Sequence, residues 1–187
     1  CVTFYAVILP FRSTFSIEYF QHAHGLSLAA AGALNSYVFL AAVFATPLFG
    51  LLVDRFGRHA LLMLAGSLLL PLSFLFLGSG NVNLWLSNAL LGVSFSLVPA
   101  VLWPAVARYV SSAQLGTAYG LMTLLQNLGL TLANVIVGRL NDSAGAGAAN
   151  AHGYAAMLWF FGLLSLMGFL FAALLLRHER ARSAADR

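Results

Sequence analysis

Between Gly116 and Gly138 the chain reads Gly-Thr-Ala-Tyr-Gly-Leu-Met-Thr-Leu-Leu-Gln-Asn-Leu-Gly-Leu-Thr-Leu-Ala-Asn-Val-Ile-Val-Gly, uncharged throughout yet dotted with hydroxyls and amides. At about 100° per residue, Tyr119, Thr123, Gln126, Asn127 and Asn134 fall within an arc of roughly 100° on a helix. Leu121, Leu125, Leu128, Leu132 and Val135 lie mostly elsewhere. With a rise of about 1.5 Å per residue the stretch is long enough to cross a bilayer core of roughly 30 Å. An unpaired amide in hydrocarbon costs several kcal/mol, so this row must face protein, water or a solute. As a set it predicts a helix that lines a pathway. Taken singly, each residue also fits as polar glue between helices, worth about 1 kcal/mol per bond.

Further candidates stand on other segments. Asn35 and Tyr37 in the second apolar run and Trp103 in the fourth supply an amide and two aromatic rings. Amides can hydrogen-bond a peptide backbone without a strong charge preference, and rings can cover its side chains. Arg12 sits mid-way along the first apolar run, beside Pro10 and Ser13. Two readings of it stay open: a buried guanidinium that clamps a carboxylate, or a side chain that snorkels to an interface because the run is shifted. Glu18, His22 and His24 are expected to form a solvated helix end, since a metal site wants more ligands on a better-defined scaffold. No metal and no cofactor is expected. Nor is catalysis: the apolar runs hold no paired carboxylates, no His-Glu-x-x-His and no Ser–His pairing.

The elements that must position these residues follow from composition. The chain is 61% hydrophobic and 7% charged, against about 25% charged in an ordinary soluble domain. Such a chain belongs in a bilayer. Six apolar segments cover about residues 1–19, 29–53, 60–78, 84–109, 116–140 and 154–176, with a basic tail at 177–187. No alternating ten-residue pattern of a β-barrel occurs, so the expected class is an all-α membrane protein. All five prolines lie within apolar segments, where neighbouring helices can re-satisfy the freed carbonyls. Gly116 and Gly120 form a small-xxx-small face that invites close helix approach. Cys1 is the sole cysteine, which excludes an intramolecular disulfide. The start at Cys1, within an apolar run, reads as a fragment.

Arginine placement sets the orientation. All nine basic residues are Arg. Arg55, Arg58, Arg108, Arg177, Arg180, Arg182 and Arg187 follow even-numbered spans, whereas Arg139 lies on the opposite edge. The positive-inside rule makes the seven-arginine side cytoplasmic, with the C-terminus on it. The net charge of +4 thus addresses the lipid bilayer, and no nucleic-acid partner is expected. An internal echo fits this layout. Gly50-xxx-Asp54-xx-Gly57 closes the second span and Gly138-xxx-Asp142-xx-Gly145 the fifth, on opposite sides, as two inverted three-helix units would require.

The run Gly50-Leu-Leu-Val-Asp54-Arg55-Phe-Gly57-Arg58 resembles the cytoplasmic loop motif of the major facilitator superfamily, between the second and third helices of each six-helix half. Asp54 can neutralise a helix N-terminus there while Arg55 and Arg58 meet headgroups or helix C-termini. Asn35-Ser36, Leu102-Trp103-Pro104, Gln114-Leu-Gly-Thr-Ala-Tyr-Gly120 and Gln126-Asn127-Leu128-Gly129 look like the second half of the lysosomal dipeptide uniporter branch. The resemblance implies six helices forming one half, an inverted 3+3 repeat, of a twelve-helix carrier. It also implies alternating access against an N-terminal six-helix half missing here, with a dipeptide or similar small solute. The Arg-only, Ala-rich composition points to a bacterial plasma membrane; a eukaryotic source would imply the lysosomal membrane. The rival readings are a carrier for a sugar, organic anion or drug, and a non-transporting partner or sensor built on a carrier fold.

Overall fold

The computed structural model describes residues 2–57, 59–79, 83–107 and 110–185, with the backbone alone at 59–60, 98–99, 105 and 178–185. Among the described residues the chain is helical, and the one β-type pairing is an isolated bridge between Gly147 and Asn150. The first segment comprises α1 (Val2–Pro10), a π turn over Phe11–Phe15 and α2 (Ser16–His24). Then come α3 (Leu28–Phe56), α4 (His59–Ser79) and α5 (Leu84–Leu97). A second π turn, Val98–Leu102, leads into α6 (Trp103–Val106). The chain closes with α7 (Leu115–Ser143) and α8 (Ala155–Ala185), each preceded by a short 3-10 turn.

The helices match the six apolar segments and mostly outrun them. The first continues past residue 19 to His24, where Gly25 at φ 64° ends it. The fourth does not run as one helix to 109: it widens at 98–102 and its last helical turn stops at Val106. α8 carries on through the residues expected as a tail. Five stretches are long and apolar enough to cross a bilayer: Leu28–Phe56, Leu61–Ser79, Leu84–Leu102, Ser112–Ser143 and Ala151–Arg177. The α1–π–α2 segment is not among these five, though its helical backbone is continuous from Val2 to His24.

Local chemistry explains these boundaries. Ser27 caps α3 by accepting the Ala30 N–H at 3.2 Å, a usual N-cap bond. Gly57 ends α3 at φ 61° with its N–H on the Val53 carbonyl at 2.8 Å. Only glycine takes that left-handed conformation freely, which explains its place in the loop motif. Gly145, its counterpart in the repeated pattern, also has φ 60°. Each π turn coincides with a proline: Pro10 precedes the first and Pro99 lies in the second. Proline lacks the N–H that an α-helix needs, and a widened turn accommodates the loss.

Packing centres on Phe11, whose ring lies 5.1 Å from Phe74, 6.0 Å from Phe161 and 6.2 Å from Phe20, each edge-on. In lipid no hydrophobic drive pulls helices together, so such ring contacts, small residues and hydrogen bonds hold the bundle. α4 packs on α5 and α8, α3 on α5, and α1 on α7. Ser73 Oγ donates to the Ser87 carbonyl at 2.7 Å and Ser94 Oγ to the Gly66 carbonyl at 3.0 Å, both between α4 and α5. The close approach expected at Gly116 and Gly120 is not made among the described residues, where a Cβ would meet open space. It occurs instead at Gly92 of α5, where a Cβ would strike the Val38 carbonyl of α3.

Candidate functional site

Arg12 lies in the first π turn. There the Ser16 N–H reaches back to the Phe11 carbonyl. The hydroxyls of Ser13 and Ser16 donate to the carbonyls of Leu9 (2.6 Å) and Arg12 (3.0 Å). The widened backbone therefore satisfies itself. The half-buried Arg12 guanidinium stacks over the ring of Phe39, its Cζ 3.6 Å from the ring centre. Its Nε is shielded from solvent and has no hydrogen-bond partner. Asn35 stands one turn before Phe39 on α3, on the same helical face. Its Oδ1 is likewise buried and unpartnered. Tyr37 is separated from this pair: it points round α3 to Trp85, ring centres 5.2 Å apart and edge-on.

Trp103 and Tyr119 are brought together. Their rings lie 5.1 Å apart, inclined by 32°. Tyr119 Oη donates to the Trp103 carbonyl at 3.1 Å. That carbonyl belongs to the short α6, whose end leaves carbonyls without intrahelical partners. Trp103 Nε1 donates to Tyr5 Oη at 3.2 Å, so α1, α6 and α7 meet in one aromatic cluster. Sequence reasoning missed Tyr5, although it stands seven residues before Arg12 and shares a helical face with it.

Along α7 the polar row straddles the edge of the bundle. Gln126 is buried, Tyr119 and Asn134 are half-buried, and Thr123 and Asn127 are exposed. The amides bond back to their own helix: Asn127 Nδ2 donates to the Thr123 carbonyl at 2.8 Å and Asn134 Nδ2 to the Leu130 carbonyl at 3.1 Å. Thr131, also missed, donates to the Asn127 carbonyl at 2.9 Å. Asn134 Oδ1 is buried without a partner. In the loop motif Asp54 and Arg55 are exposed and Gly50 is half-buried. Arg58 lies outside the described residues.

The outer end differs from the solvated turn expected there. His22 Nδ1 is 2.7 Å from Tyr154 Oη, and His24 Nε2 is 3.1 Å from Tyr19 Oη. Tyr19 itself donates to the Leu77 carbonyl at 2.8 Å. Both histidines are half-buried, and burial pushes the His24 pKa below its ordinary value. Among the described residues no group of three or more metal-binding side chains occurs.

The bundle thus holds one helix with a row of uncharged polar groups, and comparison with known proteins names the family. Residues 2–187 match the Major Facilitator Superfamily. The chain belongs to that superfamily. It is 39% identical over 145 residues to the lysosomal dipeptide transporter MFSD1 of Homo sapiens, covering 78% of this chain and 31% of that protein. The Gallus gallus protein of the same name is 38% identical over 148 residues, covering 78% and 33%. An uncharacterized MFS-type transporter of Bacillus subtilis (strain 168), YwoD, is 33% identical over 129 residues, covering 66% and 28%. The chain thus spans about a third of the length of these relatives. These relatives are named as transporters, not enzymes.

Proposed function

We propose that the chain is one half of a twelve-helix secondary carrier that moves dipeptides or similar small solutes by alternating access. Its other half would be a further six helices, and the seven-arginine side would face the cytoplasm of a bacterial inner membrane. The observation that carries the reading is the 39% identity over 145 residues to the dipeptide transporter. The site supports it. Two of the α7 amides, Asn127 and Asn134, donate to carbonyls of their own helix, which leaves Thr123, Asn127 Oδ1 and the unpartnered Asn134 Oδ1 available at membrane depth. On this reading Arg12 and Asn35 form the opposite wall, Gln126 backs the row, and the Tyr5–Trp103–Tyr119 cluster closes its cytoplasmic end. Tyr37, packed on Trp85, serves as an anchor of α3. Gly50, Asp54, Arg55, Gly57 and Arg58 form the hinge loop on the cytoplasmic face.

The test is counterflow in proteoliposomes that contain the full-length carrier. Unlabelled dialanine loaded inside should drive a transient, saturable overshoot of labelled dialanine. Uptake that is linear in concentration, with no overshoot, refutes the assignment. An overshoot with a sugar or organic anion but not with peptides would keep the carrier and replace the solute.

A further inference from the structure

Arg12 carries a charge at membrane depth, and among the described residues no carboxylate pairs with it. The chain's acids are Glu18, Asp54, Asp142, Glu179 and Asp186. Glu18, the nearest in sequence, is exposed. The guanidinium makes its contact with the face of Phe39, 3.6 Å from Cζ to ring centre. A guanidinium stacked on a ring keeps all its N–H donors in its own plane, pointing past the ring. Phe39 therefore orients Arg12 without using a single donor, and Nε is left unpaired.

An unpaired acceptor lies close by. Side chains at i and i+4 on a helix have Cβ atoms about 5–6 Å apart. Asn35 is thus set one turn from the ring that carries the guanidinium, with its Oδ1 buried and unpartnered. Buried polar atoms are nearly always satisfied in a finished structure. A stacked fork of donors and, one turn away, a lone acceptor call for a solute with a carboxylate and an N–H on the same carbon. An N-acylated α-amino acid has this arrangement, and the C-terminal residue of any peptide is one.

We propose that Arg12, held flat on Phe39, binds the free C-terminal carboxylate of the solute while Asn35 Oδ1 accepts the adjacent N–H. This deepens the dipeptide reading and rests on it, and it names which end of the peptide this half reads. The bidentate geometry of a guanidinium on a carboxylate gives the discrimination; lysine would keep the charge but lose the fork.

The test uses the full-length carrier and three probes that compete with labelled dialanine. N-acetylalanine has both groups, its amide lacks the carboxylate, and its N-methyl derivative lacks the N–H. A charge-assisted bond is worth roughly tenfold or more in affinity, so the wild type should prefer the acid to the amide by at least that factor. Arg12→Gln should bring the ratio to about threefold or less by weakening the acid alone, with Arg12→Lys in between. Asn35→Ala should weaken the acid but leave its N-methyl derivative unchanged. An acid-to-amide ratio near one in the wild type, or an unchanged ratio in Arg12→Gln, overturns the proposal. So does a drop in thermal stability with the ratio kept, which would mean that a carboxylate of the other half pairs Arg12. If the wild type takes up no dialanine, thermal stabilisation in micelles makes the same comparison. Stabilisation by the acid, lost in Arg12→Gln, upholds the carboxylate site while the dipeptide reading falls; no stabilisation overturns both.

Discussion

Tyr19→Phe isolates one hydroxyl on which three elements converge. The phenol has one proton, and it goes to the Leu77 carbonyl at 2.8 Å. His24 Nε2, at 3.1 Å, must therefore donate to the same oxygen, which fixes the tautomer with its hydrogen on Nε2. Leu77 lies in the last turn of α4, where carbonyls have no intrahelical donor. Phenylalanine keeps the ring and its packing against Tyr154, 5.7 Å away. It also leaves a buried carbonyl orphaned. A net hydrogen bond is worth about 1 kcal/mol and an orphaned buried acceptor costs a further 1–3 kcal/mol, so the loss should be about 2–4 kcal/mol. The His24 bond adds little, because water reaches that half-buried ring. Tyr154→Phe is the control: it removes one bond, to the half-buried His22, and should cost about 1 kcal/mol. Reversible unfolding of the full-length carrier in mixed micelles reads both. A Tyr19→Phe loss no larger than that of Tyr154→Phe refutes the account, because the Leu77 carbonyl would then have another partner.

The pH dependence of stability follows from the same corner. Burial lowers the His24 pKa, so the unfolded chain takes up a proton that the folded chain refuses. Stability from this group is complete above about pH 6.5, the ordinary value, and is lost as pH falls below it, levelling off under the folded-state pKa. The Tyr19 bond survives protonation because Nε2 is already the donor, so unfolding of the wild type and His24→Gln, compared from pH 8 to pH 5, should diverge only at the acid end, with the wild type losing more. At the crossing of α3 and α5, Gly92→Ala drives a methyl group into the Val38 carbonyl and should cost about 1–3 kcal/mol. Unfolding midpoints measure it, and an unperturbed midpoint would show that α5 can slide.

How far the fold could be read in advance depended on the range of the interaction concerned. Apolar runs are local, and α3 (Leu28–Phe56), α4 (His59–Ser79) and α7 (Leu115–Ser143) overlie three of them. The π turns were not legible, because one extra residue in a turn leaves an all-apolar run looking the same; Pro10 and Pro99 marked the places without revealing the form. The outer network was misread as a solvated end since Tyr19 and Tyr154 lie far apart in the chain, and only the bundle shows that they share a corner with His22 and His24. Gly116 and Gly120 misled for a different reason. A small residue permits close approach but does not compel it, and among the described residues nothing lies against either glycine. Tyr5 could have been found: a wheel drawn through Arg12 puts it on the same face.

The polar groups within the bundle bond in two ways, across to a facing helix or back to their own, and α4 and α5 use both, Asn88 and Ser96 donating to the Leu84 and Val93 carbonyls. On α4 and α5, Ser73 and Ser94 bond across to the facing helix. Each bond ties one helix to another, as expected of a scaffold that must not shear. On α7, by contrast, Asn127, Thr131 and Asn134 donate to carbonyls four residues back on their own helix. Such bonds stabilise no interface. They satisfy the amide donor at the surface of a helix that remains separately movable, and they leave the Oδ1 atoms as acceptors. Elsewhere on α7 the bonds do cross, Tyr119 Oη to the Trp103 carbonyl at 3.1 Å and Asn141 Nδ2 to Met157 Sδ at 3.7 Å, so the self-bonded stretch is confined to 127–134. Replacing Asn127 with leucine should therefore leave the unfolding midpoint nearly unchanged while altering solute competition; a loss of stability with competition intact would return α7 to the scaffold.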